Sequence, residues 1–436
     1  MMNKFTSLYL IILNTILNRH IYELYVCLFI TKLASAQDTI TLSDISEHYF
    51  IKGEYLGILE DPNNQYSIDS VCQSTKLNFY QQNGINGLKT QNDDSKSTYW
   101  IRFKVTKSTP SDWIIEFPNQ HIDEIEFYVP DSQNNYTKFI SGNQLPFRSR
   151  TFNHRNIEFK LPLQENRLYT FYVKVTSEYS TILDSWIRSD QKFTGYAINE
   201  YVILGMFYGI VILMISFNLM LFIYVKNKAY LFYVFYVIGI GWYSLSRNGL
   251  GFQYLWPEHP EWNSIVTYLA IIFAVVSQLF YSKYFLQLNR NAPLLNTIIS
   301  YFIVIRIVIF IIGFCFFRSL LTFLPLDIIS LSVSFFAGIV AYKNGYKPAR
   351  LFLLGFGFLC IGFIICSIES VGLFTNDIIH AYASDIGASF EILFLSLAFA
   401  DQLRTEKKAK ESAQKDSIRE LRRNESLKKN SYKKTN

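Results

Sequence analysis

The chain has 436 residues, half of them apolar and only 17% charged, with 38 Phe and 30 Tyr. Its apolar residues run in long blocks through the second half, which excludes an ordinary soluble or disordered chain and points to a membrane protein. The net charge of +6 lies wholly after Ala400, where twelve Lys/Arg meet six Asp/Glu, and the rest balances at 29 of each sign. A basic tail next to a membrane is expected to face anionic lipid, not nucleic acid.

Residues 1–36, "MMNKFTSLYLIILNTILNRHIYELYVCLFITKLASA", have a basic start, apolar stretches and a small-residue Ala34-Ser35-Ala36 site. They read as a secretory signal peptide. Arg19, Glu23 and Lys32 interrupt it, so an uncleaved anchor is the alternative.

Residues 37–196 alternate in short runs separated by turn residues. In "STYWIRFKVT", Tyr99, Ile101, Phe103 and Val105 fall on one face and Trp100, Arg102, Lys104 and Thr106 on the other. "DWIIEF", "DEIEFYVP", "NIEFKLP" and "LYTFYVKV" follow, with weaker earlier runs in "EYLGILE" and "YSIDSVC". Repeated strands at this spacing predict an all-β, jelly-roll-like sandwich. Cys72 is the only cysteine in this stretch, His48, His121 and His154 are isolated, and no catalytic constellation or metal-ligand spacing occurs. The expectation is therefore no enzyme, no metal and no cofactor.

Residues 200–402 predict seven transmembrane helices, at about 200–225, 229–246, 264–286, 295–317, 320–342, 350–373 and 379–401. With the amino end outside, the inner connections carry Lys226, Lys228, Lys283, Arg290, Lys343, Lys347 and Arg350. The outer ones carry only Arg247 and Arg318. This obeys the positive-inside rule and sets the N-terminal domain in the periplasm and the C-terminus in the cytoplasm. An inner, cytoplasmic membrane is the implied location. Tyr254, Trp256 and Trp262 in the outer loop "RNGLGFQYLWPEHPEW" suit interfacial anchoring or a lid over an outer cavity. Arg306, Asp327, Glu369, Asp385 and Glu391 fall inside helices, where charges pair or face water. Glu391 or Asp385 is the expected partner of Arg306. The last helix holds no Lys for a retinal Schiff base.

Taken together, "YWIRFKV", "DWIIEFPNQHIDEIEFYVPD", "SGNQLPFRSR" and "YTFYVKVTS" resemble the second extracellular module of a known family. It is that of the bacterial seven-transmembrane receptors with diverse intracellular signalling modules (7TM-DISM). The likeness continues through "YGIVILMISFNLMLFIYVKNKAYLFYVFYVIGIGWYSLSRNGLGFQYLWPE" and "SFEILFLSLAFADQLR", although Asn143 stands where an acidic residue is expected. The resemblance implies a receptor that binds an extracytoplasmic small molecule or glycan and relays it through the helices. Trp100, Arg102, Arg148 and Arg150 are the candidate ligand contacts, an aromatic platform with polar neighbours. A transporter, or a membrane-anchored glycan-binding protein without signalling output, is the alternative.

Residues 403–436 form a basic tail with Glu–Lys pairs four apart at Glu406–Lys410 and Glu411–Lys415, and this predicts a helix continuing the seventh. Leu403, Ile418, Leu421 and Leu427 do not hold one coiled-coil seam, so a homodimer through the tail would be weak. The tail resembles no kinase His box, GGDEF segment or helix-turn-helix. The expected partners are membrane lipid and a separate cytoplasmic signalling protein, a kinase or regulator.

Overall fold

The computed structural model describes residues 39–435, except 45, 74–76, 82–87, 90–97, 120–121, 132, 134, 178–181, 317–320, 322–323 and 371–381. The leader expected at 1–36 lies outside the described residues. The chain forms two compact units. One comprises the sequence up to Trp113 with Ile125–Phe139 and Lys160–Ile187, and the other Ile114–Glu124, Ile140–Phe159 and everything from Arg188 onward.

The N-terminal part is mostly β. Its strands are β1 (Thr39–Leu42), β2 (His48–Phe50), β3 (Gly57–Asp61), β4 (Leu88–Lys89), β5 (Thr98–Lys107) and β6 (Trp113–Phe117). They continue with β7 (Glu124–Pro130), β8 (Tyr136–Ser141), β9 (Ile157–Leu161), β10 (Tyr169–Thr176), β11 (Ile182–Leu183) and β12 (Trp186–Ser189). One sheet runs β1-β5-β10-β7-β8 with β3 also on β5, a second runs β2-β12-β6-β9, and β4 pairs with β11. The alternation of β5 is realised: Tyr99, Ile101, Phe103 and Val105 are buried. Phe103 stands opposite Phe171 in the antiparallel register, and their rings stack 5.5 Å apart.

The other face of β5 differs from expectation. Trp100 is fully buried, packed with Leu59, Val71, Tyr128 and Tyr172. The cover comes from "YSIDSVC", which forms a short helix, Ile68–Gln73, instead of a strand. Asp61 prepares it by accepting the Gln65 and Tyr66 amides at 2.9 and 2.8 Å, and the Ser67 hydroxyl accepts the Ser70 amide at 3.3 Å.

Among the described residues seven long helices follow, α1 (Asp190–Val225), α2 (Lys228–Arg247), α3 (Trp262–Phe285), α4 (Pro293–Cys315), α5 (Leu324–Lys343), α6 (Ala349–Ser370) and α7 (Ala383–Thr435). Among the described residues, six of them, all but α5, are long and apolar enough to cross a membrane. α1 starts ten residues before the expected 200, because Ser189 caps the Lys192 amide at 3.3 Å and Asp190 occupies the first turn. Those polar first turns precede the apolar window that hydropathy detects. α7 is one helix of 53 residues and carries the tail without a break.

Aromatic side chains fill the bundle, with Tyr230 stacked on Phe399 at 4.0 Å and Phe352 on Phe356 at 4.5 Å. α6 and α7 approach closely at Gly362 and Gly387, as helices do in lipid, where small residues allow contact. A Cβ on Gly387 would lie 2.8 Å from the Phe358 carbonyl oxygen. Gly387→Val is expected to cost about 1–3 kcal/mol by overpacking. A thermal midpoint in nanodiscs equal to wild type would contradict this contact.

Candidate functional site

Alternation decides where two acids point. With Trp113, Ile115 and Phe117 on one face of β6, Glu116 shares the other with Ile114, and in β9 Glu158 likewise opposes Ile157 and Phe159. Acids at such positions usually meet water, yet Glu116 and Glu158 are 1% and 2% exposed. Buried carboxylates require partners. Arg188 of β12 pairs with Glu116, and Asn156 donates to the other Glu116 oxygen at 2.6 Å. His154 Nδ1 meets Glu158.

The loop between β8 and β9, "LPFRSRTFNHRN", brings His154 and Arg155 to this cluster. Arg150 shapes the loop by donating to the carbonyls of His154, Arg155 and Asn156. Burial brings its guanidinium down to about 10, still charged at neutral pH. At the loop's end Arg155 donates to Glu200 of α1 at 2.8 Å, to the Asn248 carbonyl at 3.2 Å, and to the Tyr382 hydroxyl. The Tyr382 hydroxyl in turn donates a hydrogen bond to Glu200 at 2.8 Å. Arg155, Glu200 and Tyr382 thus form a closed triangle of hydrogen bonds joining the loop, α1 and the residue preceding α7. Burial opposes charge on Arg155, but Glu200 outweighs it and raises the guanidinium's hold on its proton.

The network continues along the end of α2. Asn248 donates to Ser244 at 3.0 Å and to Asp385 at 3.3 Å, Ser244 donates to Asp385 at 2.8 Å, and Arg247 pairs with Asp385 at 3.1 Å. Asp385 lies in the first turn of α7, where a carboxylate is also favoured by the helix dipole. Three carboxylates (Glu116, Glu158, Glu200) face three guanidiniums (Arg150, Arg155, Arg188), with His154 between. Glu116, His154 and Glu158 present donor atoms within 4.8 Å of one another, the spacing of a cation site. Protein groups already meet them: Arg188 and Asn156 take both oxygens of Glu116, so ion pairing is the chemistry the set performs. Beside His154 an apolar groove of about 540 Å³ runs along Phe152, Phe193, Ala197, Tyr201 and Val202.

His154 sets a pH dependence. Burial lowers its proton affinity, but the hydrogen bond to Glu158 and the carboxylate of Glu200, 3.5 Å from Nε2, raise it above the usual imidazole value. Burial also raises Glu158. Both groups hold a proton more tightly folded than unfolded. Their stabilisation is therefore complete below the unfolded values of 4.5 and 6.5 and is lost as pH rises through the raised folded ones. Unfolding midpoints should fall as pH climbs above about 6.5, and His154→Asn should flatten that part of the profile. The same slope in the variant would contradict the assignment.

The expected ligand contacts fall differently. Trp100 is interior, not an open platform, and Arg102 lies 4.3 Å over the Phe79 ring. Arg150 supports the loop. Arg148 is the exposed one, with its side chain 3.5 Å from Glu258. After α2, Tyr254 and Trp262 are exposed, whereas Trp256 is buried against Phe147 and Phe252 and donates to Asn263 at 2.7 Å. Arg306 pairs with Asp327, a correction to the partners expected, because α4 and α5 are neighbours and Asp385 is held by Arg247. Glu391 is held by Tyr236. The side chain of Glu369 lies outside the described residues. The sequence reading missed Glu116, His154, Arg155, Glu158, Arg188, Glu200 and Tyr382. A usable signal was a charge set among the apolar residues of each strand, Glu116 in β6, Glu158 in β9 and Arg188 in β12.

Comparison with known families gives two matches. A family model described as 7TM diverse intracellular signalling matches residues 200–402, and one described as 7TMR-DISM extracellular 2 matches 53–187. No curated protein matches the chain.

Proposed function

Given that the chain belongs to the 7TM-DISM receptors, multi-pass membrane proteins with an extracellular domain before the helices, we propose that it signals through the Arg155–Glu200–Tyr382 triangle. In this reading an extracytoplasmic small molecule or glycan changes the state of the β-rich domain, and the triangle passes that change to α1 and α7. The observation that carries it is the triangle itself, three buried groups from three segments joined by direct hydrogen bonds. α7 then supplies the output. A helix of 53 residues spans roughly 80 Å at about 1.5 Å per residue, and a rotation at its start reaches the tail without a joint. The basic tail lies in the cytoplasm beside anionic headgroups of the inner membrane and docks a separate signalling protein. A receptor of this kind needs a ligand with unequal affinity for two bundle states.

Fusions at Asn436 test the output side. GFP there should fluoresce and alkaline phosphatase should be inactive. The reverse pattern would place the tail outside and end the proposal.

A further inference from the structure

Glu391 of α7 is fully buried in the bundle, and among the described residues it forms no ion pair with Lys, Arg or His. Among the described residues, the titratable groups facing it are Tyr233 and Tyr236 of α2, Tyr281 of α3 and Cys360 of α6, none of them a cation. An ionised carboxylate in such a place is among the costliest groups a protein can hold.

The hydrogen bonds point to the remedy. The Tyr236 hydroxyl oxygen lies 2.7 Å from one Glu391 oxygen and 2.8 Å from the other. A phenol has a single proton to donate. Even shared between both oxygens, that one proton is the only donor the side chain meets among the described residues, too little to hold a buried charge. A carboxyl that carries a proton of its own needs no counter-ion and can donate back to the phenol oxygen. Tyr233 cannot assist, because its hydroxyl donates to the Ile392 carbonyl at 2.5 Å.

We infer that Glu391 is an intramembrane proton-binding site, occupied in this state of the bundle, whose proton ties α7 to α2. Loss of that proton to water would leave a carboxylate with one donor and no counter-ion, so the α2–α7 contact opens or hydrates when the proton leaves. This goes beyond the relay proposed above and stands if that relay fails, since it rests on different residues.

Infrared spectroscopy of the full chain in lipid nanodiscs at neutral pH tests it. The wild-type minus Glu391→Gln difference spectrum should show a protonated carboxyl C=O stretch, distinct from the carboxylate bands and shifted in D2O. A difference spectrum with no such band means that Glu391 is ionised and overturns the inference. If Glu391→Gln fails to fold, Tyr236→Phe serves instead. It removes the hydroxyl that the carboxyl bonds, so the carboxyl band should move, and an unmoved band would equally overturn the inference.

Discussion

Glu200→Ala is expected to destabilise the chain by about 3–5 kcal/mol, the usual cost of leaving one member of a buried ion pair unpaired. Glu200 is 1% exposed and receives Arg155 at 2.8 Å and Tyr382 at 2.8 Å, with His154 Nε2 at 3.5 Å. Its removal strands a guanidinium in a space that water does not reach. Arg155→Ala should cost a similar amount for the mirror reason. The pair replaced together, Arg155→Leu with Glu200→Leu, should recover most of the loss, because no charge then stays buried alone. Denaturation of wild type, Arg155→Leu, Glu200→Leu and the double Leu variant in nanodiscs gives the cycle. Two single losses that simply add in the double variant would mean that the residues do not act as a pair.

Trp100→Ala should cost a comparable amount, about 3–5 kcal/mol, through the cavity left by an indole. The ring is fully buried and stacks 5.4 Å from Tyr128, with Lys174 Nζ 5.4 Å from its centroid. Its indole N–H has no hydrogen-bond partner among the described residues. Trp100→Phe therefore gives up packing but no hydrogen bond and should be much milder. A Trp100→Ala protein as stable as wild type would return this residue to the surface and reopen its use as a stacking platform.

What could be read in advance follows from the range of each signal. The helices α1 to α7 and the strand β5 repeat a local pattern, apolar over about 20 residues or alternating in twos, and patterns of that range survive in a single chain. The first face of β5 was legible for that reason. Its second face was not, since the cover on Trp100 comes from Ile68–Gln73, a helix too short to show a helical period. Charge pairing was the least visible. Arg155 and Tyr382 are 227 positions apart, and nothing near either of them announces the other. Glu116 and Glu158 each look like ordinary solvent-facing strand residues until Arg188 and His154 arrive from elsewhere. Arg306 was recognised as needing a carboxylate. The choice among acids depended on helix adjacency, which favours Asp327.

The decisive measurement is the position of the tail end of α7 when the Arg155–Glu200–Tyr382 triangle is removed. Nitroxide labels at Asn344 and Arg404, both exposed, report it by pulsed electron resonance in a background with the native cysteines replaced. The Arg155→Leu, Glu200→Leu protein should show a shifted or broadened distance distribution relative to wild type. Superimposable distributions would mean that the triangle holds the structure together without governing α7, which would contradict the proposed relay.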